Sequence, residues 1–132
     1  MKNALGVGES LGPLTDWSTD DFKGRTVLKD GEPTADTVLL EVKGQSDHCV
    51  YLGDNPIRYR VIEGFGRLSV MNIDTAEFRE HWLEPGSSGE VNAREAYFYE
   101  RCGLETLVLR DDCEGFDPAD EPSVAEYFPS VV

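Results

Sequence analysis

The chain has 132 residues, 39% of them hydrophobic, which suits one folded domain with its own core and does not suit a disordered chain. Its formal charge is −14, from 26 acidic and 12 basic residues, and no basic stripe is present to offset phosphate charge. This balance excludes nucleic acid and an anionic membrane as partners. Abundant acid with few lysines also suits a high-salt cytoplasm, so the composition is compatible with a halophilic source.

The three cysteines include no Cys-x-x-Cys pair and cannot all be joined in disulfides, which indicates a reducing compartment. The first residues lack an apolar run long enough for a signal peptide or a membrane span. We therefore expect a cytoplasmic protein. Residues 1–21 are rich in glycine and show no periodicity, so they are predicted to form an irregular arm attached through Trp17.

Short runs of strand-forming residues follow one another at close spacing, separated by turns that contain Gly, Pro, Asn or Asp. Two short helical turns are predicted at residues 74–79 and 123–128. No repeat or linker indicates a second domain. The pattern predicts an all-β antiparallel sandwich or small barrel with eight strands, at residues 25–29, 37–43, 49–52, 57–63, 67–73, 80–83, 96–101 and 105–110.

Three segments carry a family resemblance. The run from Tyr59 to Leu68, with Gly64 and Gly66 in its turn, resembles the central hairpin of the cupins, and Leu83-Glu-Pro-Gly86 resembles the turn that opens their second motif. Residues 104–109 resemble the strand that closes the cupin barrel. The resemblance implies a double-stranded β-helix, or jelly-roll barrel. Residues 1–132 would be one cupin-like domain with a core at about 24–112 and an acidic tail at 111–132.

The resemblance also implies where cupins hold their metal, at two histidines and a glutamate in the first motif and a histidine in the second. Here the glutamate position falls on Ile57 and the last histidine position on Tyr97. The first two histidine positions fall on Val50 and Leu52, or on Tyr51 and Gly53 if the spacer is shorter. With the first alternative the interior wall is apolar, lined by Val50, Leu52, Ile57, Tyr59 and Val61. We expect no metal and no other cofactor.

Strand alternation then predicts the interior side chains of the strand after Pro85-Gly86. Since Tyr97 takes the place of an inward histidine, Glu95 and Tyr99 should share its face, while Phe98 should face the other way. Tyrosines with a carboxylate suit a polar or aromatic small molecule. The predicted ligand-binding residues are Tyr51, Tyr59, Glu95, Tyr97 and Tyr99.

Three functions remain open on the sequence. The first is a metal-independent protein that binds a small organic molecule inside the barrel. The second is a metal-free isomerase, epimerase or lyase with Glu95, Tyr97 and His81 as catalytic residues, in which desolvation of Glu95 disfavours its charged form. The third is a non-catalytic assembly or accessory protein with a filled barrel, whose outer sheet meets a partner through Arg58, Arg60, Arg67 and Trp82. A homodimer is compatible with each of them.

Overall fold

The computed structural model describes residues 5–14, 18–30 and 32–114 of the chain. These residues form ten strands: β1 Glu9–Leu14, β2 Phe22–Lys29, β3 Glu32–Val42, β4 Cys49–Tyr51, β5 Ile57–Glu63, β6 Gly66–Asn72, β7 Phe78–Leu83, β8 Ser88–Val91, β9 Glu95–Arg101 and β10 Leu107–Asp112. Trp17, the predicted helical turn at 123–128 and most of the acidic tail lie outside the described residues.

The strands form two antiparallel sheets. The larger sheet has the order β1-β2-β3-β10-β5-β8, and the smaller has the order β4-β9-β6-β7. One apolar core lies between them and takes inward side chains from both. An all-β jelly-roll architecture, as predicted, is therefore confirmed. Within the described residues, the chain contains no helix that is long and apolar enough to cross a membrane.

Alternation along the central strands explains the core. On β5, Ile57, Tyr59 and Val61 are buried while Arg58 and Arg60 are exposed, so the strand has one apolar and one charged face. A one-residue shift would move the tyrosine to solvent, and the register is therefore strongly specified.

The hairpin between β5 and β6 is compact because glycines flank Phe65. Gly64 has φ +86°, and a Cβ there would lie 2.5 Å from the Thr106 carbonyl oxygen. A Cβ at Gly66 would lie 2.3 Å from the Glu100 carbonyl oxygen. Both positions therefore require glycine. Phe65, held between them, is left 56% exposed.

Three predictions of secondary structure differ from the structure. Residues 9–14 of the predicted irregular arm form β1, which pairs with β2. Residues 88–91, predicted as a loop, form β8 and pair with β5. Residues 74–79 form no helical turn, because the Asn72 carboxamide oxygen accepts the N–H groups of Asp74 and Thr75 and closes a tight turn before β7.

The first strand is held by contacts far along the chain. The two Glu9 carboxylate oxygens accept hydrogen bonds from the Arg110 guanidinium, both at 3.0 Å. These hydrogen bonds lower the pKa of Glu9 to about 2. Leu5 and Leu11 pack on a second small apolar cluster, separate from the main core, that contains Val27, Leu39 and Val108. The N-terminal segment is thus attached through Glu9 and these leucines.

Candidate functional site

The barrel interior is lined by tyrosines from both sheets. Tyr51, Tyr59, Tyr97 and Tyr99 are between 0% and 5% exposed. The ring of Tyr99 meets those of Tyr59 and Tyr97 edge to face, with centroids 6.1 and 6.0 Å apart. These are favourable aromatic geometries and indicate a packed interior. The register places Glu95, Tyr97 and Tyr99 on the inner face of β9, as the alternation predicts.

A buried carboxyl group completes this interior. Asp111, on β10, is 1% exposed, and its carboxylate accepts a hydrogen bond from the Tyr99 hydroxyl at 3.0 Å. Burial raises the pKa of Asp111 to about 7, and the Tyr99 hydrogen bond offsets only part of this effect. Burial likewise raises the pKa of Tyr99 well above its ordinary value. A carboxyl group that titrates near neutrality is suited to proton transfer.

The sequence prediction missed Asp111 because it begins an acidic run that was assigned to the tail. The alternation of residues along this strand could nevertheless have indicated that Asp111 faces the interior. Leu107, Leu109 and Asp111 occupy alternate positions on one strand, so the carboxyl group falls on the face of the two leucines.

Glu95 lies at the edge of the interior and is paired. Its carboxylate is bridged by the guanidinium group of Arg79 and accepts the Asn92 N–H at 2.5 Å. Burial disfavours its charged form, but the hydrogen bonds from Arg79 and Asn92 outweigh burial and lower the pKa of Glu95. The pKa of Glu95 is therefore shifted in the direction opposite to the one predicted from the sequence, which was a rise caused by desolvation among tyrosines. Glu95 is therefore held as a carboxylate.

Arg79, which the sequence prediction did not single out, connects the two sheets. It stands on β7, at the edge of the smaller sheet, and donates to the backbone carbonyl of Glu90 on β8, at the edge of the larger sheet, at 3.0 Å. Together with its bonds to Glu95 on β9, this closes the side of the barrel between β7 and β8. Arg79 acts as a clasp across that opening.

His81 lies beside Arg79 on the exposed edge strand β7. Its Nε2 accepts a hydrogen bond from Arg79 Nε at 3.0 Å, and its side chain faces solvent. The structure therefore brings His81 to Arg79, whose guanidinium group also binds Glu95, while Tyr97 and Tyr99 lie deeper in the core. The other histidine, His48, packs on the outer side of β9 against the ring of Phe98, with centroids 4.1 Å apart.

The family's metal-ligand positions can now be located. On β4, Cys49 and Tyr51 lie on the inner face opposite Tyr97 and Glu95, so the expectation that Val50 and Leu52 line the interior is wrong and the shorter spacer gives the correct register. Leu52 is 44% exposed. Ile57 and Tyr97 are buried as expected.

These positions do not offer the donors of a cupin metal centre. Tyr51, Gly53, Ile57 and Tyr97 include no histidine and no carboxylate. Across residues 5–14, 18–30 and 32–114, no three His, Cys, Asp or Glu side chains form a group that can hold a metal ion. The residue set thus does not fit the family's metal.

A second candidate site lies outside the barrel, at the end where the β5–β6 turn meets the β9–β10 loop. The N–H groups of Cys102 and Gly103 donate to the Phe65 carbonyl at 2.9 and 3.3 Å and fasten these two segments together. Three large apolar side chains project there: Phe65 is 56%, Trp82 76% and Leu104 98% exposed. We call Phe65, Trp82, Cys102 and Leu104 the Trp82 surface.

Two shallow depressions flank the β5–β6 turn on this surface. One, of about 360 Å³, is lined by Phe65, Trp82, Leu83, Glu84 and Cys102 among others. The other, of about 420 Å³, is lined by Leu104 and by the glutamates at 41, 63 and 105. The Trp82 surface is therefore apolar in the middle and acidic at its rim.

The four residues predicted to meet a partner do not share one face. Arg58 and Arg60 lie on the outer face of the larger sheet. Arg67 and Trp82 are register partners on the outer face of the smaller sheet, where Arg67 is paired with Glu80 and Glu100 at 3.0 and 2.6 Å. The residues predicted to form one partner-binding surface therefore lie on two separate surfaces, one on each sheet.

No protein-family model and no curated protein sequence matches the chain. Solved structures do resemble its fold. The Drosophila melanogaster CENP-C cupin domain superposes with a TM-score of 0.61 at 13% identity, covering 75% of this chain and 69% of that one. A Drosophila melanogaster CENP-C structure bound to CAL1 gives 0.63 at 13% identity, with coverages of 76% and 80%.

A formate complex of oxalate decarboxylase from Lactobacillus farciminis gives a TM-score of 0.71 at 11% identity, covering 89% of this chain and 35% of that one. The chain thus spans about a third of the decarboxylase. These likenesses confirm the predicted cupin-like fold. Among proteins of this fold are both an enzyme and a domain solved with a protein partner, so the fold alone does not define the function.

Proposed function

We propose that the chain is a non-catalytic protein-binding module, with a filled barrel as scaffold and the Trp82 surface as the docking site. One observation carries the proposal. The interior tyrosines are at most 5% exposed, whereas Trp82 is 76% and Leu104 98% exposed at one end of the barrel. Of the aromatic side chains in residues 5–14, 18–30 and 32–114, Trp82 is the most exposed, and Phe65 and Leu104 lie at the same end of the barrel.

The composition of the Trp82 surface supports this role. Aromatic side chains that become buried at the centre of an interface contribute most of its binding energy, and Trp is among the most frequent of them. Phe65 is pre-organised, because Gly64 and Gly66 fix its turn and two backbone hydrogen bonds fix its carbonyl. A rigid anchor loses little entropy on binding.

The fold comparison is consistent with this proposal. CENP-C, which resembles the chain in fold, was solved in complex with a protein, CAL1. The two chains are 13% identical and share a fold, and the docking site is inferred from the exposed residues of the Trp82 surface of this chain.

Site-specific photo-crosslinking tests the proposal. A photoreactive amino acid replaces Leu104, and a matched control carries it at Thr75, which is exposed at the opposite end of the barrel. Both proteins are irradiated in extract of the source cells. We expect a discrete conjugate from position 104 that disappears in the Trp82→Ala background and is absent from the position 75 control. Because Trp82 is 76% exposed, the melting temperature of Trp82→Ala should stay close to that of the parent protein.

The alternative outcomes are distinct. Conjugates that form equally from both positions, or that persist without Trp82, would refute the docking site. A conjugate of twice the chain mass would identify the partner as a second copy and would establish the homodimer.

A second candidate function is favoured by the Tyr99–Asp111 pair. A small polar or aromatic molecule that entered past the Arg79 clasp would meet a tyrosine hydroxyl and a carboxyl group whose pKa is about 7. Such a pair suits binding, or proton transfer of the isomerase or lyase kind, without a metal.

Fragment screening by protein-observed NMR tests this second function. Specific ligands should shift the resonances of the inner β9 residues and should bind differently to Asp111→Asn. The control is Asp54→Asn, which changes an exposed carboxylate. If every shift falls on the outer surface, the interior is not a ligand site.

A further inference from the structure

The outer face of the larger sheet carries charged side chains in two rows that cross neighbouring strands. In the first row, Arg58 on β5 lies between Asp112 on β10 and Glu90 on β8. This row alternates in charge, and Arg58 lies 3.5 Å from the Glu90 carboxylate. Cross-strand pairs of opposite charge stabilise a sheet, so the first row is balanced within the protein.

The second row is not balanced. Arg60 on β5 lies directly opposite Arg110 on β10, and its other neighbour is Ser88 on β8. Like charges that face each other across strands are destabilising. Arg110 is compensated by Glu9 at 3.0 Å and by Asp112 at 3.4 Å. Arg60 has no such compensation, because neither of its cross-strand neighbours, Arg110 and Ser88, carries a negative charge.

Arg60 is exceptional among the arginines of this chain. Seven of the eight, at positions 25, 58, 67, 79, 94, 101 and 110, contact a carboxylate or donate to a backbone carbonyl group. Considering only the part of the chain that the structure covers, the Arg60 side chain has no hydrogen bond and no ion pair. Arg25 and Arg101 lack a carboxylate partner but donate to the carbonyl groups of Gly12 and Leu104, so Arg60 differs from them in having neither kind of acceptor.

A groove surrounds this unmatched guanidinium group. It has a volume of about 650 Å³ and is lined by Arg58, Arg60, Arg110, Glu9 and Asp112, together with the apolar residues Leu5 and Ile62. The volume lies within the range of small-molecule sites. Ser88, the third member of the second row, adds a hydroxyl donor beside Arg60. The groove thus combines cationic donors with an apolar wall.

We propose that this groove binds a carboxylate group attached to an apolar body, with Arg60 as the principal donor. The guanidinium fork matches a carboxylate in geometry, and bidentate pairs of this kind are the stronger hydrogen bonds. Two of the three arginines in the groove are paired with carboxylates, Arg58 with Glu90 and Arg110 with Glu9 and Asp112, so that only the Arg60 guanidinium is left unpaired. A single unpaired guanidinium group in a chain of −14 favours a monoanion over a phosphate dianion.

A titration followed by the arginine Nε–Hε resonances of ¹⁵N-labelled protein tests the site. The probes, at constant ionic strength, are acetate, hexanoate and a blocked six-residue peptide with one glutamate. We expect saturable shifts with hexanoate, and weaker binding of acetate because it lacks the apolar body. Arg60→Gln should weaken hexanoate binding about tenfold, which corresponds to ~1.4 kcal/mol. Ile62→Ala should reduce the advantage of hexanoate over acetate.

The controls separate binding from folding. Arg101→Gln removes an exposed arginine that donates to the Leu104 carbonyl, away from the groove, and should leave binding unchanged. Without a ligand, Arg60→Gln should melt at or above the temperature of Arg101→Gln, which has the same net charge, because Arg60→Gln removes a like charge opposite Arg110.

The relative affinities of the probes test whether the groove is a binding site and show which kind of molecule carries the carboxylate. Tighter binding of hexanoate than of the peptide identifies a free organic acid, and the reverse identifies an acidic side chain of a protein. The proposal is overturned if no probe gives a saturable shift, if Arg60→Gln binds hexanoate as well as the parent protein, or if Arg60→Gln melts at a lower temperature than Arg101→Gln, since Arg60 then serves the fold.

Discussion

The Tyr99 hydroxyl and the Asp111 carboxylate lie 3.0 Å apart inside the barrel, on strands of different sheets, and both residues are at most 1% exposed. The pair joins the two sheets through a polar contact in an apolar core. Burial is the main cause of the raised pKa of Asp111, so the carboxyl group changes its charge near neutrality.

The first prediction concerns the stability of the protein against pH. The folded-state pKa of Asp111, about 7, is above its unfolded value of 3.8, so the folded protein binds the extra proton between these values. The contribution of Asp111 to the free energy of unfolding is therefore fully present below about pH 4 and is lost as the pH rises through 7. The loss is on the order of 4 kcal/mol, from about three pKa units at ~1.4 kcal/mol each.

Urea denaturation of the protein and of Asp111→Asn from pH 5 to pH 8 measures this effect. Asn keeps an acceptor for the Tyr99 hydroxyl and carries no charge, so the variant should lose most of the slope and be the more stable form at pH 8. Asp54→Asn, at an exposed position, should keep the slope. If Asp111→Asn also keeps the slope of stability against pH, the Asp111 carboxyl group does not titrate between pH 5 and pH 8.

The second prediction concerns the Arg79 clasp. Arg79→Met should leave the Glu95 carboxylate buried without its cation and should destabilise the protein by about 2 to 3 kcal/mol, less than for a fully buried pair because the Arg79 side chain is 35% exposed. The double variant Arg79→Met/Glu95→Gln should recover much of this loss, since it removes the unpaired charge.

The pH dependence of the Arg79→Met effect has a definite sign. The pKa of Glu95 is lowered in the folded state, so the stabilisation from the pair is present above the unfolded value of 4.5 and is lost as the pH falls through the folded value. Chemical denaturation at pH 7 and at acidic pH should therefore show a larger penalty at pH 7. An equal penalty at both values would mean that charge is not its cause.

The third prediction tests the register of β9. Tyr97→Ala should cost about 3 to 5 kcal/mol, because the ring is 2% exposed in the core. Phe98→Ala should cost only about 1 kcal/mol, because Phe98 lies on the outer face against His48. Tyr97→Phe should keep the fold. Equilibrium unfolding of the three variants is sufficient, and a larger penalty for Phe98→Ala than for Tyr97→Ala would indicate the opposite register.

The fourth prediction concerns salt. A formal charge of −14 on a small chain produces self-repulsion, and screening should relieve it as the Debye length falls from ~30 Å at 0.01 M to ~3 Å at 1 M. The melting temperature should rise with sodium chloride. Arg67 and Arg110 hold several acids in ion pairs that salt weakens, so a flat or falling profile would mean that these pairs outweigh the net repulsion.

Strand alternation made the core strands predictable from the sequence. Ile57, Tyr59 and Val61 alternate with arginines, and the tyrosines of β9 alternate with residues of the outer face, so period and register can be read locally. The Gly-x-Gly turn between them could also be predicted, because only glycine accepts the close backbone approach at Gly64 and Gly66.

The strands that could not be predicted depend on tertiary contacts. β8 contains Gly89, a poor strand former, yet the Tyr59 ring requires it, since a Cβ there would lie 2.5 Å from the Tyr59 hydroxyl oxygen. β1 contains Gly12 and Pro13, and its partner Arg110 lies 101 residues along the chain from Glu9. No local pattern can show such a partner.

The candidate sites were harder to predict for a similar reason. The tyrosines follow from alternation, but the effect of Arg79 on Glu95 depends on a pairing across 16 residues that reverses the expected direction of the pKa shift. The rows around Arg60 appear only when the register of β5 against β8 and β10 is known.

The position of β10 affects the order in which the protein can fold during synthesis. β10 ends at Asp112 but lies in the middle of the larger sheet, between β3 and β5. Until residues 107–112 leave the ribosome, β3 and β5 each present an unpaired edge, and such edges are sites of intermolecular pairing. Nascent chains that stall before Leu107 should therefore be prone to aggregation, and the two parts of the larger sheet, β1-β2-β3 and β5-β8, should be joined only in a late step when β10 is inserted between them.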